Sequence, residues 1–297
     1  MTAAAPIALM APDAATWHRL AGDLALAGAG WPAAAETGGA GVLAIAPGVA
    51  SGAEQVRTAL AQGRRVVWTA PDALRALTGL GDGAVAAPGR LGCSEVGAYL
   101  TDELHGTGVG RPLSFCLTLH APASAGGFEA LLWDAVCLID QCLGLPLQAV
   151  QVSGGALFGP RRDTAVVLAR DADGCVVTAD IACSLPPTAP PDAAVEIMGT
   201  TATLRAAPHD RRVRWRSAAP ADATDRADAP RRDVPPRDLA AGDVFWGEDP
   251  VVATILAGLT PVPGEAEALR RRLDLALAIL DALDAQDGGA ADGEVRA

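Results

Sequence analysis

Short apolar runs alternate with stretches of helical spacing along the first third of the chain. Pro6 to Ala11 (PIALMA) has the length of a strand. Asp13 to Ala27 follows with Trp17, Leu20, Leu24 and Ala27 at helical intervals, and with Asp13 placed as an N-cap. Gly41 to Pro47 (GVLAIAP) is a second apolar run, closed by Pro-Gly. Glu54 to Gln62 then reads as a short helix and Gly63 to Ala70 (GRRVVWTA) as a third strand. Strands and helices alternating over connections this short predict a parallel sheet with helical crossovers, here a small, reduced Rossmann-like unit over residues 1–75.

The pattern changes after Asp72. Ser94 to His105 is spaced as a helix ending at the Gly106 to Gly110 cluster, Pro112 to Ala121 as a strand, and Gly127 to Leu143 as a long apolar helix closed by Gly144. Strand-like runs then crowd together at Gln148 to Ser153, Thr164 to Arg170, Cys175 to Cys183, Ala193 to Met198, Thr201 to Ala206 and Arg212 to Arg216. Asp171 to Gly174 and Gly199-Thr200 supply turns between neighbours. The expected fold class is α/β followed by α+β, the second domain (76–285) having a mostly antiparallel open sheet. Ser217 to Asp243 has no apolar period and reads as a disordered segment or a surface arm. Asp249 to Leu259 and Pro263 to Ala285 return as helices that can pack back on the N-terminal domain, and residues 286–297 form a fraying tail.

Composition narrows the chemistry. All 23 basic residues of the 297 are arginine, so lysine is absent; this removes P-loop lysines, Schiff-base lysines and lysine proton donors. A net charge of −12 argues against nucleic acid or an anionic membrane as partner. No apolar run reaches the length of a membrane span and no basic leader precedes the Ala-rich start, so a cytoplasmic protein is expected. The six cysteines form no C-x-x-C pair, no histidine stands at zinc spacing, and most lie in apolar runs. Reduced core thiols and no metal are therefore expected.

Several segments, taken in order, resemble the Gfo/Idh/MocA oxidoreductases, the glucose-fructose oxidoreductase and inositol dehydrogenase type. Gly41 to Pro71 is similar to that family's strand-helix-strand ending in E-K-P. Gly108-Val109-Gly110-Arg111-Pro112 is similar to its G-x-I-G step, and Gly126 to Gly144 to its G-G-x-L-x-D-x-G-x-H helix. Val195 to Leu204 and the final Ile255 to Leu283 follow its closing segments. The resemblance covers almost the whole chain. It implies a nucleotide-binding Rossmann domain for NAD(P), and a C-terminal domain whose open sheet serves as an oligomer interface.

On that resemblance the cofactor-contacting positions are Ala11, Asp13, Pro47, Ala70 and Pro71, and each departs from the family pattern or stands in a weakened context. Ala11, Asp13 and Thr16 replace the glycine fingerprint, and a carboxylate at the second position sets like charge against a pyrophosphate. Glu36 is the nearest candidate for the ribose-binding acid. Ala70 stands where the family has its E-K-P lysine, Cys137 where it has histidine, Trp133 where it has aspartate, and Ser51 where a histidine often follows the T-P step. With proton donor, orienting carboxylate and phosphate loop all replaced, the expected protein is a non-catalytic homologue, a homo-oligomer or the partner of an active paralogue. Two alternatives stand beside it: an active NAD(P)-dependent enzyme acting on a sugar or cyclitol through a remodelled site, and a small-ligand sensor.

The candidate catalytic residues are Asp134, Cys137, Asp140 and His120. Asp134, Cys137 and Gln141 fall on one helix face, as a rebuilt polar pocket with Cys137 as nucleophile or Asp134 as base, or else as buried structure. Asp140 reads as a structural hydrogen-bond partner, and His120 lies at a strand end near the domain junction. Trp68 and Trp133 map beside the cleft, either filling it or packing in the core.

Overall fold

The computed structural model describes residues 7–29, 33–34, 41–50, 52–80, 84–106, 108–122, 127–157, 162–186, 189, 192–207, 212–217, 248–287 and 294–295. Glu36, Ser51 and 218–247 lie outside the described residues, and so does most of the 286–297 tail.

Two sheets organise the chain. The first is five-stranded and parallel, built from β1 (Ile7–Met10), β2 (Ala33–Ala34), β3 (Val42–Ile45), β4 (Arg65–Trp68) and β5 (Val85–Ala86) in the order β2-β1-β3-β4-β5. Its strands alternate between two cores. Ile7, Leu9 and Ala44 face helices α1 (Ala14–Leu26) and α6 (Glu248–Leu259) through Leu20, Leu24, Val252 and Ile255. Ala8, Leu43, Ile45, Val66 and Trp68 face the main core, which includes Val56 of α2 (Gly52–Ala61). Both faces are buried, as a parallel sheet requires. The division expected at residue 75 falls between β4 and β5, because the sheet runs on past a 3-10 turn at Leu74–Leu77 to Ala86.

The second sheet has eight strands: β6 (Pro112–Pro122), β7 (Gln148–Gly155), β8 (Thr164–Arg170), β9 (Val176–Leu185), β10 (Asp192–Gly199), β11 (Ala202–Ala207), β12 (Arg212–Ser217) and β13 (Glu294–Val295). Their order is β12-β11-β10-β6-β9-β8-β7-β13, and every pair is antiparallel except β6–β9. The strands β7, β8 and β9 form a meander, whereas β10 crosses to the far side of β6. Short helices α3 (Arg90–Cys93) and α4 (Glu95–His105) precede the sheet; α5 (Gly127–Leu143) and α7 (Glu265–Asp287) pack on its inner face. Phe115, Leu117, Leu119, Val177, Ile181, Val195 and Ile197 point inward. The alternate positions Cys116, Val166, Leu168, Glu196 and Met198 lie exposed on the other face.

Arg65 ties the C-terminal helices back to the parallel sheet. Its Nε donates to the Gly258 carbonyl at 2.9 Å, and its Nη2 reaches both Glu265 oxygens at 2.8 Å. A carbon added at Gly258 would collide with Val67 at the sheet surface, so α6 approaches too closely there for any side chain.

Candidate functional site

In an open parallel sheet, ligands bind beyond the carboxyl ends of the strands, where the chain turns outward. Ala11, Asp13, Pro47, Ala70 and Pro71, the positions expected from the resemblance to contact a cofactor, all follow the ends of β1, β3 and β4 on that edge. The ladder carries on past the strand ends: the Ala46 amide donates to the Met10 carbonyl at 2.9 Å, and the Thr69 amide and hydroxyl donate to the Ile45 carbonyl at 3.1 and 3.0 Å. Ala70 and Pro71 are buried, so the position that the resemblance matches to a lysine is a packed methyl group.

The first turn holds a carboxylate, as read from the sequence. Asp13 is the N-cap of α1; its Oδ1 accepts the Thr16 amide at 2.8 Å and its Oδ2 the Thr16 hydroxyl at 2.9 Å. These bonds hold the carboxyl below its ordinary value, so Asp13 is ionised at neutral pH. A dinucleotide's pyrophosphate does not fit residues arranged this way, because a negative charge already sits where its own would lie.

Helix α5 carries the proposed chemistry, and α3 lies against it. Asp134 is 1 % exposed. Nε and Nη2 of Arg90 reach its Oδ2 at 2.9 and 2.7 Å, and the Arg90 amide donates to its Oδ1 at 2.6 Å. Burial pushes the Asp134 carboxyl above the usual carboxylate range, against the pull of the guanidinium and of the Arg90 and Leu91 amides. One turn further along, Cys137 packs so closely on Gly89 that a carbon added there would collide with it. Gln141 donates to the Gly92 carbonyl at 3.3 Å. The three polar residues do share a face, but that face is an interface between helices. The Cys137 thiol, 2 % exposed, is pushed up to about 12 by burial, although Arg272 lies close by.

The remaining candidates are dispersed. Asp140 is buried and takes Arg272 Nε on its Oδ2 at 2.6 Å, joining α5 to α7. His120 pairs with Asp180 at 3.1 Å on the outer face of the second sheet. The sheet therefore stands between His120 and the α5 residues. Trp68 and Trp133 are both fully buried; the Trp133 indole donates to the Ala87 carbonyl at 2.9 Å, and Trp68 packs on Gly52 at the start of α2. Both are core residues. The expectation of buried cysteines fails at Cys116, which is exposed because it alternates with Phe115 and Leu117; all six cysteines are free thiols. No group of three or more His, Cys, Asp or Glu among the described residues is arranged to hold a metal ion.

Two residues that the sequence did not single out matter here. Arg90 closes the α5 face, and its only sequence signal was a charge inside an apolar Gly-rich run. Glu129, in the first turn of α5, accepts the Leu74 amide at 2.7 Å beside the Ala70-Pro71 turn. Burial raises its carboxyl, against the Leu74 amide and Arg75.

No protein-family model and no curated protein matches the chain. Solved structures do. A myo-inositol dehydrogenase from Corynebacterium glutamicum aligns at a TM-score of 0.65 and 13% identity over 96% of this chain and 98% of its own. An oxidoreductase from Agrobacterium radiobacter, solved with NAD+, L-tartaric acid and magnesium, aligns at 0.64 and 15% over 98% of each chain. The UDP-N-acetylglucosamine 3-dehydrogenase of Acidithiobacillus ferrooxidans aligns at 0.62 and 16% over 94% of this chain and 97% of its own. The parallel sheet, the large open second sheet and these end-to-end superpositions establish that this protein has the fold of the Gfo/Idh/MocA oxidoreductases.

Proposed function

We propose that the chain is a non-catalytic relative of these oxidoreductases, acting as a subunit of a homo-oligomer or beside an active paralogue. The observation that carries this is the sealed face of α5. Asp134 is consumed by Arg90, and Cys137 is buried against Gly89 with its thiol held protonated. Neither can take a proton from a substrate without α3 leaving. The surface for assembly is the outer face of the second sheet, where Val166, Leu168 and Met198 are each about half exposed beside Cys116.

The test is a turnover assay of the purified chain with NAD or NADP and a panel of sugars and cyclitols, alongside sedimentation of the wild type and Leu168→Arg. No turnover and an assembly that Leu168→Arg dissociates are expected. Turnover by the isolated chain would overturn the reading. One observation favours a remodelled, active enzyme instead: the Glu129 carboxylate, raised by burial, lies beside the turn that lacks the lysine. That reading requires Glu129→Gln to abolish a turnover that the wild type shows.

A further inference from the structure

A phosphate is held at the first turn of such a parallel sheet by backbone N–H groups that point away from the helix N-terminus into the crevice. In this chain Pro12, in the middle of the turn, has no N–H to give. The Thr16 amide is taken by Asp13 Oδ1 and the Thr16 hydroxyl by Asp13 Oδ2. The Trp17 amide already bonds the Asp13 carbonyl at 3.0 Å within the helix, and the Trp17 indole is turned back to the Leu9 carbonyl at 3.0 Å. On the facing turn, the Pro12 ring lies against Gly48, bringing apolar surface to the place where the first and third strands open. Asp13 itself is exposed and directed at solvent. An incoming phosphate would meet a fixed negative charge, and neither Pro12, Thr16 nor Trp17 offers it a free amide.

We infer that Pro12 and Asp13 are specificity-determining residues that make this turn refuse phosphate-bearing ligands, dinucleotides included. The inference stands on the first turn alone, not on the sealed face of α5, so it can fail or hold independently of the proposed function.

The experiment is calorimetric titration of the full chain with inorganic pyrophosphate and, separately, NADH. It compares the wild type with Asp13→Ser, Asp13→Asn and the double variant Pro12→Gly/Asp13→Ser. Serine and asparagine both remain good N-caps, so α1 keeps its start while the charge is removed; far-UV circular dichroism checks that each variant folds. The expected result is no saturable binding to the wild type, and pyrophosphate binding to the double variant at least about tenfold tighter, with the single variants between. Saturable binding of NADH or pyrophosphate by the wild type overturns the inference. So does a double variant that folds and binds pyrophosphate no better than the wild type, since the exclusion would then come from elsewhere in the crevice. The two can be told apart: a wild type that binds NADH or pyrophosphate but shows no turnover fails this inference and leaves the proposed function standing.

Discussion

At the scale of single residues, burial decides which side chains can act. Cys116 and Cys137 are both cysteines in apolar runs, yet one is exposed on a sheet face and the other lies beneath a glycine with its thiol raised to about 12. With iodoacetamide near pH 8, mass spectrometry of the native protein is expected to find Cys116 alkylated first and Cys137 untouched until the protein unfolds. Asp134 offers a sharper test. Asp134→Ala leaves Arg90 buried without its carboxylate, which costs about 3–5 kcal/mol, measurable as a lower urea midpoint. A loss below about 1 kcal/mol would mean that α3 does not seal α5. Sequence spacing placed Asp134, Cys137 and Gln141 on one face correctly. It could not show what that face touches, because Arg90 is some forty residues earlier in a run too short to declare itself a helix.

At the scale of elements, two close approaches position the site. Gly89 and Gly92 let the start of α3 lie on α5, and a methyl group at position 89 has nowhere to go. Gly89→Ala is expected to cost about 1–3 kcal/mol by overpacking, since its φ of −74° suits alanine and only the space is missing. Glu129 joins α5 to the turn after β4. Its folded carboxyl is raised, so the folded state holds a proton that the unfolded chain has released, and stability falls as pH climbs from the unfolded value through the folded one. Glu129→Gln keeps an acceptor for the Leu74 amide and removes the charge. It should raise the melting temperature at pH 7, with the gain vanishing near pH 4; a lower melting temperature at pH 7 would show that the charge is instead needed by Arg75 and Arg162. Helices and long strands were legible because their apolar periods run for several turns or pleats. The strand β5, two residues long, and the four-residue α3 were not, for want of any period to read.

For the whole molecule, α7 acts as the clamp. Arg75, from the 3-10 turn, and Arg162, before β8, both reach Asp284 on α7, at 3.0 and 2.6 Å. Arg162 and Arg75 hold the Asp284 carboxyl below its ordinary value, so its contribution to stability is present above the unfolded value and is lost as pH falls through the folded one. Asp284→Asn should therefore lower stability at pH 7, by a small amount because the group is half exposed and screened, and leave it nearly unchanged at about pH 2, flattening the acid limb. An unaltered acid limb would show that this junction carries no proton-linked stability.

The sequence by itself determined the alternation of strands and helices, the second sheet's run of strands, the absence of lysine and the carboxylate at the first turn. Each of these is local, set by spacing or by the identity of one side chain. Tertiary structure alone decided that β10 crosses β6, that His120 faces away from α5, and that Arg90 closes over Asp134. Those depend on which distant segments bury one another's apolar faces, and the pairing of surfaces far apart in the chain leaves no period along it.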